Sequence, residues 1–442
     1  MLAVTTRNFR RGLVAAALTG LAVRLAYILI FRRNVLPMGD SFSYDLGSRL
    51  LVQGHGFIEP QPFINGIVQQ SASHPPLYFI YLAIPSSVGL DTPLWHMLWS
   101  SLLGVGTVVL VGLVAKEVAG PRAGLVGAFL AAMYPNLWVF DGFILSETMA
   151  MFMVALSVLL AYRYLRAPSI WRALALGFAC GYAALARAEL VLLLPLLALP
   201  CILFTRRTDE AQKLKGLGVA GVAAVIAMGP WVGFNLARFE KPVFLSTGLE
   251  PTMLGANCDA TYYGNLTGYF TPACTESAKY PRGADQSERD EVARRIAFHY
   301  ISSHKGRVPV VVLARWGRIT GLYRPWNQVQ LDDAIEGRER GVAVASLISF
   351  YIVAILAIIG AVLVRRRRRV PLFPLLVPVV IVLFAVALSL GSNRYRASAE
   401  VVLVVMAAVA IDRLIASRRN RFAPSPARVE APREASAAVP SR

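Results

Sequence analysis

Runs of apolar residues recur along the whole sequence, separated by short polar or basic stretches. A helix needs about 20 mostly apolar residues to cross a bilayer. On that criterion spans are predicted at 13–31, 94–115, 123–140, 143–162, 173–186, 190–204, 216–234, 342–364, 371–390 and 398–415. A further apolar stretch, 77–90, is opened by Pro75-Pro76, and proline is tolerated in a first helical turn where its missing N–H has no partner. Counted as a span, it would invert every later loop, so an interfacial or re-entrant helix is expected there. The pattern predicts an all-α polytopic membrane protein of about ten transmembrane helices. Interfacial helices are expected in the first external loop, 32–93, and a larger external insert at 236–341.

The distribution of cations fixes a direction. With Arg7, Arg10 and Arg11 placed in the cytoplasm, the cytoplasmic loops carry Lys116 and Arg122, then Arg163, Arg166 and Arg172, then Arg206, Arg207, Lys213 and Lys215, and the run Arg365 to Arg369. The external turns carry few: Arg187 in one, Arg394 and Arg396 in another. This is the positive-inside pattern. Both termini are expected in the cytoplasm of a multi-pass cell-membrane protein. The expected division is a membrane module at 1–235, the insert at 236–341, C-terminal helices at 342–416 and a disordered tail at 417–442.

Composition agrees: 56% of residues are hydrophobic and 16% charged, which excludes an ordinary soluble chain. The net charge of +19 lies in clusters between apolar runs and in the tail, so it points to membrane lipids and not to nucleic acid. No cysteine–histidine spacing suits a metal. Cys258 and Cys274 share the external insert and could pair there, while Cys180 and Cys201 lie in apolar spans. No Walker loop or dinucleotide fingerprint occurs, and the cytoplasmic loops are too short for a nucleotide-sugar domain.

With this topology the external face gathers Asp40, Asp45, His74, Asp141, Glu147, Arg187, Glu189, Arg394 and Arg396. Ionisable groups in or beside spans are costly, and so are functional candidates. Asp40 has two readings, a cap for a helix starting at Ser41 or a general base. Glu147, one turn into an apolar helix, needs a partner or a substrate. His74 has two readings, a wet helix start or a contact to phosphate, and so has Arg187, a local pair with Glu189 or anion binding. Arg394-Tyr395-Arg396 offers two guanidiniums around an aromatic, a pattern suited to phosphate. Arg24, near mid-bilayer, calls for a partner inside the bundle.

Several segments together resemble a known family. They are Asp40-Ser41-Phe42-Ser43-Tyr44-Asp45-Leu46 with Gly54-His55-Gly56-Phe57, then His74-Pro75-Pro76-Leu77-Tyr78, Leu145-Ser146-Glu147-Thr148 and Leu185-Ala186-Arg187-Ala188-Glu189. With Pro230-Trp231-Val232-Gly233-Phe234-Asn235 and Arg394-Tyr395-Arg396, their order and spacing resemble the GT-C integral-membrane glycosyltransferases. The nearest branch is that of protein O-mannosyltransferases and aminoarabinose transferases. Ser41 stands where many relatives carry a second acid, and Ala188 where proline is common. The resemblance implies transfer of a sugar from a polyprenyl-phosphate carrier to an extracytoplasmic glycan, lipid or protein. It implies Asp40 and Glu147 as catalytic acids, with Tyr44, His74, Arg187, Arg394 and Arg396 around the substrates. No organic cofactor is implied, and a divalent cation is left open. A transporter or lipid flippase is the alternative class, with Arg24 and Glu147 on its path.

Overall fold

The computed structural model describes residues 5–276 and 278–421; the tail expected to be disordered lies outside them from residue 422 onward. Among the described residues there are helices and no strands, only an isolated bridge between Ile58 and Gln70. Five helices are long and apolar enough to cross a membrane: Thr6–Arg32, Pro93–Ala119, Glu147–Arg166, Glu210–Leu236 and Arg340–Arg367. A sixth candidate is the pair Pro121–Met133 and Pro135–Phe143, bent by 71°. Helix length and composition thus account for up to six of the ten predicted spans. The other four rest on the sequence pattern. Ile170–Ala186 and Phe373–Leu388 have 17 and 16 residues, about 25 Å each at 1.5 Å per residue. Ala188–Leu203 is divided into 3-10, π and α turns, with Pro195 and Pro200 early in the last two.

The fourth, Ala397–Arg421, is the hub of the bundle. Val401, Val404, Ala407 and Ala410 are buried along it, and it packs on Arg340–Arg367, Pro121–Met133, Pro93–Ala119 and Glu147–Arg166. A helix apolar on all sides belongs in the interior. Close approach depends on small residues: a Cβ at Gly360 would clash with the Met406 carbonyl oxygen. Arg340–Arg367 turns the opposite stripe outward, with Ile348, Ile352, Ile355, Ile359 and Val362 exposed. That spacing of three and four marks one helix face, and an apolar face of that length suits lipid.

Helix Leu77–Ser86 has ten residues, about half the length a crossing needs. The insert contributes Leu249–Ala256, Gln286–Ser303, Val308–Ile319 and Pro325–Ala334. Gln286–Ser303 begins with a capping box. The Asp285 side chain accepts from Glu288 N at 2.9 Å, and Glu288 accepts from Asp285 N at 3.1 Å. The Cys258 and Cys274 sulfurs are bonded, with Cα atoms 6.3 Å apart. Insert and first loop are joined: Thr247 N donates to Ala72 O at 2.8 Å and Ala72 N to Gln286 Oε1 at 2.9 Å.

Candidate active site

Asp40 is delivered by a turn. Gly39 has φ 57° and ψ −128°, and Ser41 N closes onto Met38 O at 3.2 Å. Those angles suit glycine alone, as in the first central position of a type II′ turn. Helix Asp40–Val52 starts at once, and its cap position is Gly39, with no side-chain cap bond. The helix-capping reading of Asp40 is therefore excluded. Its carboxylate instead meets Arg394 Nη2 at 2.6 Å and His74 Nε2 at 3.5 Å, with the side chain 38% exposed. Burial pushes the carboxyl pKa up, but the charges of Arg394 and His74, and their hydrogen bonds, hold it well below the ordinary carboxylate range. The His74 ring stacks on Tyr44, their centroids 4.9 Å apart.

Glu147 opens helix Glu147–Arg166 and is buried. One of its oxygens, Oε1, receives both Arg187 Nη1 at 2.6 Å and Arg394 Nε. Arg187 also holds Glu189, at 2.6 Å, and lies over the Tyr395 ring at 5.0 Å. The wall of the adjoining cavity includes Ser146 but not Glu147. Glu147 therefore aligns two guanidiniums from behind the wall. The chain reaches it through Ile144, a buried β-branched residue at φ 52°, a strained conformation for such a side chain.

Arg396 is not part of this group, which corrects the expectation of two guanidiniums flanking Tyr395 at one site. It is buried, paired with Glu400 and set over the Phe350 ring at 3.5 Å, while Tyr134 OH donates to Glu400 at 2.8 Å. The reason is local geometry. Asn393–Arg396 is a 3-10 turn, in which residues two apart are about 240° apart around the axis. Arg24 has its partner inside the bundle, Asp141 Oδ2 at 2.6 Å, both side chains fully buried, and Thr148 donates to the other Asp141 oxygen at 2.7 Å. Asp45 is also structural. It accepts from Arg49 and meets His96 Nδ1 at 2.8 Å, with Ser86 Oγ 2.8 Å from the other ring nitrogen.

Asp40, Tyr44, His74, Arg187 and Arg394 line one cavity of about 1200 Å³. One side of it is this charged floor. The other is apolar, made by Phe298, Ile301, Val308 and Val312 of the insert with Phe384 and Leu388 of helix Phe373–Leu388. Arg315 lies in the same wall. In the sequence, Arg315 and Arg318 stand in an otherwise apolar stretch, 308–323. The structure turns Arg315 and Arg318 inward and leaves Val310 and Leu313 exposed. Among the described residues, no group of three His, Cys, Asp or Glu gathers as metal ligands would.

Residues 61–239 match the family model described as dolichyl-phosphate-mannose-protein mannosyltransferase. No curated protein sequence matches the chain. Among solved structures, the apo oligosaccharyltransferase of Archaeoglobus fulgidus is similar, with a TM-score of 0.56 at 14% identity over 94% of this chain and 52% of that one. The same organism's oligosaccharyltransferase AglB, in complex with an inhibitory peptide and a dolichol-phosphate, gives 0.56 at 15% identity over the same shares. ArnT from Cupriavidus metallidurans bound to undecaprenyl phosphate gives 0.46 at 13% identity, over 94% of this chain and 80% of that one. The chain spans about half the length of the oligosaccharyltransferase structures it matches. It is a polytopic membrane protein with the GT-C fold of these structures, and its residues 61–239 resemble the dolichyl-phosphate-mannose-protein mannosyltransferase family.

Proposed function

We propose that the protein transfers a sugar from a polyprenyl-phosphate donor to a hydroxyl-bearing glycan, lipid or protein on the outer side of the membrane. The observation that carries this reading is the cavity with an apolar flank on one side and Asp40, His74, Arg187 and Arg394 on the other. A lipid-linked sugar has the same division, an apolar tail joined through phosphate to a polar group. The mannosyltransferase family match over 61–239 supports the same chemistry.

In this reading the acceptor hydroxyl oxygen attacks the anomeric carbon while its proton passes to the Asp40 carboxylate. The bond from that carbon to the phosphate oxygen breaks, and the electron pair leaves with polyprenyl phosphate. A single displacement of this kind inverts the anomeric centre. The leaving group is a stable anion, so cations at the floor replace a general acid. Arg394 and Arg187 supply that charge, and Glu147 sets their positions. The outer placement rests on the loops at the opposite end of the bundle. There Lys116, Arg367 and Arg369 surround a smaller pocket, and Arg166 pairs with Glu117 at 3.1 Å. Both termini are then cytoplasmic, and the insert at 236–341 is an external unit that roofs the cavity and selects the acceptor. Mass spectrometry of lipid-linked sugars and envelope glycans, with and without the gene, tests the reading. The lipid-linked donor should accumulate and one decoration should disappear; an unchanged profile of both would refute it.

A further inference from the structure

We infer that Arg315 is the anchor for the phosphate of the lipid-linked donor, at the junction between the apolar flank and the charged floor. The inference rests on the donor reading above and assigns the phosphate contact to a residue outside the Asp40 group. The buried arginines differ in their partners. Arg24 pairs with Asp141, Arg32 with Glu339, Arg338 with Asp332 and Glu336, and Arg396 with Glu400. Arg187 and Arg394 at the floor are held by Glu147, Glu189 and Asp40. Among the described buried arginines, only Arg315 and Arg318 have no carboxylate partner. Arg318 donates to Thr267 O at 2.7 Å, Asn265 O at 2.7 Å and Asn327 Oδ1 at 3.1 Å, and it does not line the cavity.

Arg315 differs on both counts. It is 3% exposed, it lines the cavity, and its Nε has no hydrogen-bond partner. Nη1 donates to Ala387 O at 2.7 Å, and Nη2 to Ala256 O at 2.8 Å and Asn257 Oδ1 at 3.1 Å. Ala387 and Ala256 stand at the C-terminal ends of Phe373–Leu388 and Leu249–Ala256. The partial negative charge of those helix ends orients the cation without cancelling it. Burial without a counter-charge brings its pKa down to about 10, so it remains a cation at neutral pH. A buried charge of this kind is costly until an anion meets it.

Position selects the anion. Val308 and Val312 precede Arg315 on its own helix, Phe384 and Leu388 border it from the neighbouring helix, and all four line the cavity. A would-be Cβ at Gly391, three residues before Arg394, would lie 2.8 Å from the Arg315 Cα, so this wall adjoins the turn that carries the floor. An anion at Arg315 would have apolar surface on one side and the floor on the other. That matches a phosphate joining an isoprenoid chain to a sugar. Arg394 and Arg187, already occupied by carboxylates, are left to act as charge builds on the leaving oxygen.

The test compares binding of undecaprenyl phosphate with that of uncharged undecaprenol to the full-length protein in lipid nanodiscs. Wild type should bind the phosphate more tightly. Arg315→Gln keeps an N–H donor for the carbonyls but loses the charge. It should lose about 10- to 100-fold in phosphate affinity, the range of a charge-assisted hydrogen bond, with undecaprenol binding unchanged. A variant that keeps the wild-type preference overturns the inference and leaves the donor reading standing; the cation would then belong to the acceptor. Wild type without any preference for the phosphate refutes both. Should Arg315→Gln fail to fold, a photoreactive undecaprenyl phosphate with its diazirine in the first isoprene unit decides with the wild-type protein. Labelling within 308–319 or 384–388 supports the assignment, and labelling confined to other segments overturns it.

Discussion

At Asp40 burial in the cavity wall and the neighbouring Arg394 and His74 pull the carboxyl in opposite directions, and the neighbours win. A base held this far down stays ionised through the neutral range, at the expense of intrinsic proton affinity. The acid limb of kcat/KM against pH should therefore lie below the ordinary aspartate value of about 3.9. Arg394→Ala removes the larger of the two opposing charges, so the limb of its residual activity should move upward. An unmoved limb would mean that another group titrates. The stability contribution follows the same sign: it is present above the unfolded-chain value and is lost as pH falls through the lower folded one. Most of this group was legible in the sequence, because ionisable residues beside apolar runs stand out. The role of Glu147 was not, since the sequence marks a costly glutamate without showing that both its partners are arginines of the floor.

Helix Asp40–Val52 aims its first side chain through one backbone turn. A Cβ at Gly39 would meet nothing within 4 Å, so a substitution there acts through backbone conformation alone. Gly39→Ala should lower unfolding stability by about 1–3 kcal/mol, or shift Asp40 and lower turnover without unfolding. Thermal denaturation together with a rate measurement checks this; a variant normal in both would show that the turn is not required. Other elements divide by what the sequence expresses. Gln286–Ser303 carries a start signal of its own, Asp285 with Glu288 three residues on. The inward face of Val308–Ile319 was not legible, because beside lipid the apolar side can point outward and the arginines inward, the reverse of a soluble helix. The same ambiguity hides where Ala188–Leu203 breaks, since its two prolines each sit near the start of a helical turn, where proline is tolerated.

At the scale of the whole molecule, the cavity and the basic pocket should open on opposite sides of the membrane. Single cysteines at Ser73 and Lys116 should be labelled from outside and from the cytoplasm respectively; labelling of both from one side would remove the outer placement of the site. Net charge and apolar length made the membrane class legible. The shared external face of Asp40, Glu147, Arg187 and Arg394 was legible too, but the ion pairs that join them were not, because those depend on the packing of helix ends far apart in the chain. What the convergence does is the central claim, and consumption of the polyprenyl-phosphate-linked sugar tests it most directly. Followed by mass spectrometry in membranes carrying equal amounts of wild type or Asp40→Asn, it should fall by about 10²–10⁴-fold in the variant, the usual cost of losing a general base. Consumption at a near wild-type rate would contradict the account.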